Sequence, residues 1–113
     1  WNLVHRRQFL NHVQVFGNTV EITGSMETNV EINSKTATKG RALQSLSQLL
    51  GVKRQEVLAI GDSGNDLSML AYAGIPLAVA NASSKAKQAA AEILPTNDQN
   101  AVAYALEKYI LSL

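Results

Sequence analysis

The spacing of hydrophobic and polar positions changes along this chain, and each change predicts an element. In residues 1–11, Leu3, Val4, Phe9 and Leu10 are set among His5, Arg6, Arg7 and Gln8 at intervals compatible with a short helix. From residue 12 to residue 33 the period becomes two. Val13 and Val15, then Val20 and Ile22, then Val30 and Ile32 alternate with Gln, Glu and Asn, the pattern of strands with one wet face. Gly17-Asn18 falls between the first two pairs as a tight hairpin turn, so antiparallel sheet is expected. Residues 34–39 are a polar connection. After it, Leu43, Leu46, Leu49 and Leu50 mark an amphipathic helix that Thr38 can cap and Gly51 ends.

Val57-Leu58-Ala59-Ile60 is an unbroken apolar run opened by a β-branched residue and stopped by Gly61. Such a run reads as a strand buried on both faces, the usual condition in a parallel sheet. A helix follows, with Asn65 or Asp66 as its cap and Leu67, Leu70, Ala71 and Ala73 at helical spacing. Pro76-Leu77-Ala78-Val79-Ala80 gives a second strand with Asn81 at its end. Ser83 or Ser84 can cap an Ala-rich helix running through Ala91, and Ile93-Leu94 reads as an edge strand stopped by Pro95. Asn97 or Asp98 can cap a last helix packed through Val102, Ala105, Leu106, Tyr109 and Ile110. The chain thus turns near residue 36 from alternating strands to βα units.

The 113 residues suit one domain or a piece of one, and 46% apolar against 17% charged residues predicts a folded chain. A net charge of +1 without a basic stripe disfavours nucleic acid as a partner. The absence of cysteine removes disulfides, thiol nucleophiles and thiolate zinc sites. No apolar run approaches ~18 residues and no signal-peptide pattern is visible, so no membrane is expected and the cytoplasm is the default location. A first residue of Trp1 rather than Met suggests a chain that starts inside a longer protein. His5 and His12 have no carboxylate beside them and read as surface residues rather than ligands.

The chemistry concentrates where the central strand ends. In open α/β sheets ligands bind beyond the carboxyl ends of the strands, and Asp62, standing there, can hold a hard cation through oxygen. Gly61 and Gly64 keep the turn tight. Asp62, Asn65 and Asp66 beside two glycines are more than a helix cap requires. Lys39 opens a helix next to Gly40, where a cation gains nothing from the helix dipole. It is either a solvated lysine or one that must reach a phosphate.

Three stretches, Thr38-Lys39-Gly40-Arg41-Ala42-Leu43, Gly61-Asp62-Ser63-Gly64-Asn65-Asp66-Leu67-Ser68-Met69-Leu70 and Ala80-Asn81-Ala82, resemble the final third of Cof-like (cap class IIB) phosphatases of the haloacid dehalogenase superfamily. The resemblance covers about residues 19–111. It implies a Mg²⁺-dependent hydrolase acting on sugar phosphates or similar small phosphomonoesters through an aspartyl-phosphate. Lys39 then matches the catalytic lysine that neutralises the transferring phosphoryl group. Asp62 matches the acid that holds Mg²⁺, Asp66 the second acid supporting metal or lysine, and Asn65 the amide that contacts phosphate. Gly61, Ser63, Gly64 and Asn81 match supporting positions.

The implied fold is α/β: the C-terminal half of a Rossmann-like core, residues 37–113, preceded by antiparallel strands from the end of a cap, residues 1–36. One departure is large. The family's nucleophile lies in an Asp-x-Asp pair, and Asp62, Asp66 and Asp98, the chain's three aspartates, form none. The chain is therefore expected to be inactive alone and to leave a sheet edge bare for self-association. The other reading is a non-catalytic interaction or regulatory module.

Overall fold

The computed structural model describes residues 2–23 and 29–112. Trp1, the expected start of the opening helix, lies outside them. Helix α1 spans Leu3–Val13 and is capped by Asn2, whose side chain accepts a hydrogen bond from the His5 amide at 2.9 Å. His5 and His12 both lie exposed on it. The first of the three expected strands is not formed. Val13 ends α1 and Val15 sits in a 3₁₀ turn, Gln14–Phe16. Two valines around one polar residue are too short a signal to break a helix already running into them. Gly17 and Asn18 consequently lead into a strand and do not join two of them.

The other two strands form as expected. Strand β1, Val20–Thr23, pairs antiparallel with β2, Glu31–Ser34, placing Glu21 opposite Asn33 and Thr23 opposite Glu31. Because side chains alternate across a strand, these four share one polar face.

Helix α2, Lys39–Leu50, has the predicted ends. The Thr38 hydroxyl accepts from the Arg41 amide at 3.2 Å, and Gly51 at φ 69° closes the last turn in the left-handed region. Its packed face differs from the leucine stripe. Leu43 reaches the core, but Leu46, Leu49 and Leu50 are exposed, and the buried positions are Gly40 and Ser47. Gly40, Leu43 and Ser47 recur at helical spacing, so α2 approaches its neighbour through its small residues. The Ser47 hydroxyl satisfies itself on the Leu43 carbonyl at 2.8 Å.

Three parallel strands carry the rest: β3, Leu58–Gly61; β4, Ile75–Val79; and β5, Glu92–Leu94, in the order β3-β4-β5. Pro76 lies next to the start of the central strand, where a missing N–H is tolerated, and its carbonyl accepts from the Ala91 amide at 2.7 Å. On one face Val57, Ala59, Leu70, Ala73 and Ala86 form a core with Leu43 and Met69. On the other, Leu77, Val79, Leu94, Ala101 and Ala105 do so with Leu58, Ile60 and Tyr109. Leu58 and Ile60 are only half-buried, so β3 is less enclosed than its unbroken apolar run predicts.

Helix α3, Leu67–Tyr72, packs through Leu70, with Ala73 just past its end; Ala71 is exposed. Helix α4, Ser84–Ala89, is capped by Ser83 and stops short of Ala91. Asn97 and Asp98 lie in a 3₁₀ turn, Asn97–Gln99, and Asn100 at φ 59° redirects the chain into α5, Ala101–Leu106. That helix buries Ala101 and Ala105 while Val102, Leu106 and Ile110 are exposed. The continuation, Glu107–Leu111, is tied down by charge. Lys108 Nζ donates to both Glu92 oxygens, at 2.8 and 2.9 Å, and the Tyr109 hydroxyl donates to the same carboxylate. The Lys108 ammonium, and then the Tyr109 hydroxyl, hold the Glu92 carboxyl below its ordinary value.

Candidate active site

The site begins with a loop that folds back on itself. Past Gly61 the chain enters a 3₁₀ turn, Gly64–Asp66, and runs straight into α3. Asp66 Oδ2 accepts from the Asp62 amide at 2.9 Å and the Ser63 amide at 3.3 Å. Asp66 is therefore the capping side chain, but it caps the loop ahead of it. Gly61 is required there: a Cβ would lie 2.8 Å from the Asp66 Cβ.

The other Asp66 oxygen, Oδ1, receives Lys39 Nζ at 2.6 Å, with the lysine side chain 52% exposed and the aspartate 7%. One residue further, the Gly40 amide donates to the Ser68 hydroxyl at 3.0 Å. The start of α2 is thus docked onto the loop and α3 by adjacent contacts. Burial disfavours the Asp66 anion, yet the Lys39 ammonium and the Asp62 and Ser63 amides outweigh it and hold the carboxyl below its ordinary 3.8.

Asp62 lies just beyond β3, exposed, and its carbonyl accepts from the Ser83 amide at 2.8 Å. That bond ties the loop to the turn after β4, on which Asn81 stands exposed. The Ser63 hydroxyl donates to Asn65 Oδ1 at 2.7 Å, and Asn65 Nδ2 donates to Glu31 Oε2 at 3.4 Å. Lys39, Asp62 and Asp66 border one cavity of about 520 Å³, walled otherwise by apolar side chains such as Ile60, Met69 and Val102. On its other side Lys39 borders a cleft of about 230 Å³ with Gly64, Asn65, Glu21, Glu31 and Asn33.

The structure therefore brings Lys39, Asp62 and Asp66 together and sets Asn65 beside the lysine. Glu31 and Ser68 are contacts that sequence reasoning missed. In the sequence Glu31 is only a polar position on a strand, and Ser68 stands in the family-like stretch with no role of its own. The exposed Asp62 carboxylate suits a hard cation such as Mg²⁺, which takes oxygen ligands and keeps much of its water. Among the described residues no group of three His, Cys, Asp or Glu side chains could hold a metal.

An ammonium paired with a carboxylate and a second, exposed carboxylate thus gather at the carboxyl end of a parallel strand, the position where open α/β sheets bind ligands. The chain belongs to the haloacid dehalogenase-like hydrolase family, whose sequence profile matches residues 5–106. It is 38% identical over 92 residues to the 5-amino-6-(5-phospho-D-ribitylamino)uracil phosphatase YcsE of Bacillus subtilis (strain 168), covering 81% of this chain and 37% of that one. The solved structure of a haloacid dehalogenase-like hydrolase from B. subtilis superposes with a TM-score of 0.81 at 33% identity, covering 92% of this chain and 37% of that one. A subclass IIB sugar phosphatase of the superfamily superposes with a TM-score of 0.78 at 27% identity, covering 87% and 38%. The chain spans about a third of the length of these relatives.

Proposed function

We propose that this chain supplies the lysine-and-acid part of the site of a Mg²⁺-dependent phosphatase that hydrolyses sugar phosphates or similar small phosphomonoesters through an aspartyl-phosphate. The observation that carries this reading is the Lys39–Asp66 pair at 2.6 Å on the same cavity as Asp62. Phosphoryl transfer asks little covalent chemistry of the residues around it and much positive charge, held where the equatorial oxygens will be. In this reading residues 37–113 form the core half and residues 1–36 the end of a cap, in a cytoplasmic enzyme.

Each side chain then has a task. Lys39 neutralises the phosphoryl oxygens, and Asn65, its amide oriented by Ser63 and Glu31, donates to one of them. Asp66 fixes the lysine, and Asp62 would hold Mg²⁺, which supplies further neutralisation when bound. An aspartate carboxylate attacks phosphorus, and the ester oxygen departs with a proton from a second acid. Water then releases inorganic phosphate and restores the aspartate. Neither Asp62, Asp66 nor Asp98 belongs to an Asp-x-Asp pair that could perform the attack.

Two measurements on the 113-residue chain test the reading. Inorganic phosphate with Mg²⁺ is expected to shift the amide resonances of Lys39 and Asn65, and Lys39→Met to abolish those shifts; unshifted spectra reject the site. A generic aryl phosphate with Mg²⁺ is expected to show no turnover, and turnover well above background rejects the missing-nucleophile argument. The second reading is a non-catalytic interaction or regulatory module. That reading predicts no phosphate response at Lys39.

Among the described residues nothing pairs with the outer edge of β3. Open edges recruit further strands, so we extend the proposal to self-association through β3. Light scattering is expected to show a mass above 12.2 kDa that rises with concentration, and a clean monomer removes this part.

A further inference from the structure

A second recess, between α1, β1 and the start of α4, holds donors that nothing described so far employs. Arg6 Nε on α1 and Thr23 Oγ1 on β1 are buried, and neither has a hydrogen-bond partner. Both residues line one cavity of about 410 Å³, and Lys85 at the start of α4 lines it as well. Buried polar atoms in folded proteins almost always find a partner. Here the residues that carry both orphans border a single cavity, which gives a group entering from outside a route to them.

The charge indicates which group. Among the described residues the ion pairs are Lys39–Asp66 and Lys108–Glu92, so Arg6 and Lys85 are uncompensated. Glu21 is the acid on the wall, and it pairs with neither. A guanidinium offers forked donors that match carboxylate or phosphate, an ammonium adds a point charge, and a threonine hydroxyl can donate a third bond. We propose that Arg6, Thr23 and Lys85 form an oxyanion-binding recess distinct from the position facing Lys39. Its walls share Glu21, Thr23 and Gly64 with the cleft beside Lys39. The ligand class is thus a molecule with two anionic groups, such as a phosphate ester bearing a second phosphate or a carboxylate. The recess rests on its own orphaned donors; only the assignment of the other anion to Lys39 rests on the phosphatase reading.

The test is an amide-resonance titration of the full 113-residue chain with inorganic phosphate and, separately, malonate, at constant ionic strength. Residues around Arg6, Thr23 and Lys85 are expected to shift saturably, and Arg6→Gln or Lys85→Gln to weaken that binding about tenfold, the effect of losing one charge-assisted hydrogen bond. Thr23→Val is expected to weaken it less. A response to phosphate alone or to malonate alone supports the recess and names its anion. No saturable shift with either, or shifts untouched by Lys85→Gln, overturns it. If Arg6→Gln fails to fold by circular dichroism, Lys85→Gln decides, since Lys85 is exposed. Shifts in the recess without shifts at Lys39 keep this inference and reject the phosphatase site instead.

Discussion

Gly40→Ala is expected to destabilise the chain by about 2–3 kcal/mol, the cost of overpacking a site that cannot yield. Glycine inside a helix usually loses to alanine by about 1 kcal/mol, so ordinary propensity predicts the opposite sign. The difference lies in what the new methyl group meets. A Cβ at position 40 would stand 2.4 Å from the Ser68 carbonyl oxygen and 2.6 Å from its carbonyl carbon, both backbone atoms of α3. No flexible side chain is available to move aside, so α2 must back away. That retreat stretches the 3.0 Å bond from the Gly40 amide to the Ser68 hydroxyl and draws Lys39 off Asp66. Thermal unfolding should fall by roughly 8–12 °C for a chain of this size. A melting temperature equal to or above that of the parent chain would falsify the close approach of α2 and α3.

Asp66→Asn is the other substitution with a large expected effect, about 2–4 kcal/mol, because one carboxylate answers three donors. The amide keeps the shape but has one oxygen. Either its NH₂ faces the Asp62 and Ser63 amides, or it faces the Lys39 ammonium. In both cases a donor meets a donor at a nearly buried position. Lys39, half exposed, recovers some hydration, which keeps the figure below that of a fully buried pair. It is left as an uncompensated cation at a helix start, where the dipole opposes it.

The pH dependence has a definite sign. The folded-state pKa of Asp66 is depressed, so its contribution is complete well above 3.8 and is lost as pH falls through the range beneath that value. The parent chain should therefore lose stability more steeply in that acid range than Asp66→Asn does. Urea titrations at neutral and acid pH test this, and parallel slopes would contradict the ion pair.

The parts of the fold legible in the sequence are those fixed by neighbours along the chain. Thr38 and Gly51 bracket α2, and the apolar run before Gly61 is a strand because those signals act within a turn or two. The leucines of α2 misled because their exposure depends on which elements lie opposite, and a glycine and a serine make the close approach. Val13 and Val15 misled because two alternating residues cannot be told from the last turn of a helix. At the site, Asp62 could be placed from strand position alone. The lysine-to-aspartate contact joins residues 27 positions apart, and no local period contains it. Family resemblance pointed to it, as it did to Asn65. Glu31, 34 positions from Asn65, required the folded chain.

The bond between Lys39 and Asp66 also bears on how a ligand would be met. A free lysine side chain carries about 2 kcal/mol of rotamer entropy, which a binding partner must ordinarily overcome. Here the ammonium is already held when the chain folds, by a carboxylate itself fastened to two amides. An incoming anion would find the charge preorganised, and its affinity would be free of that ordering cost.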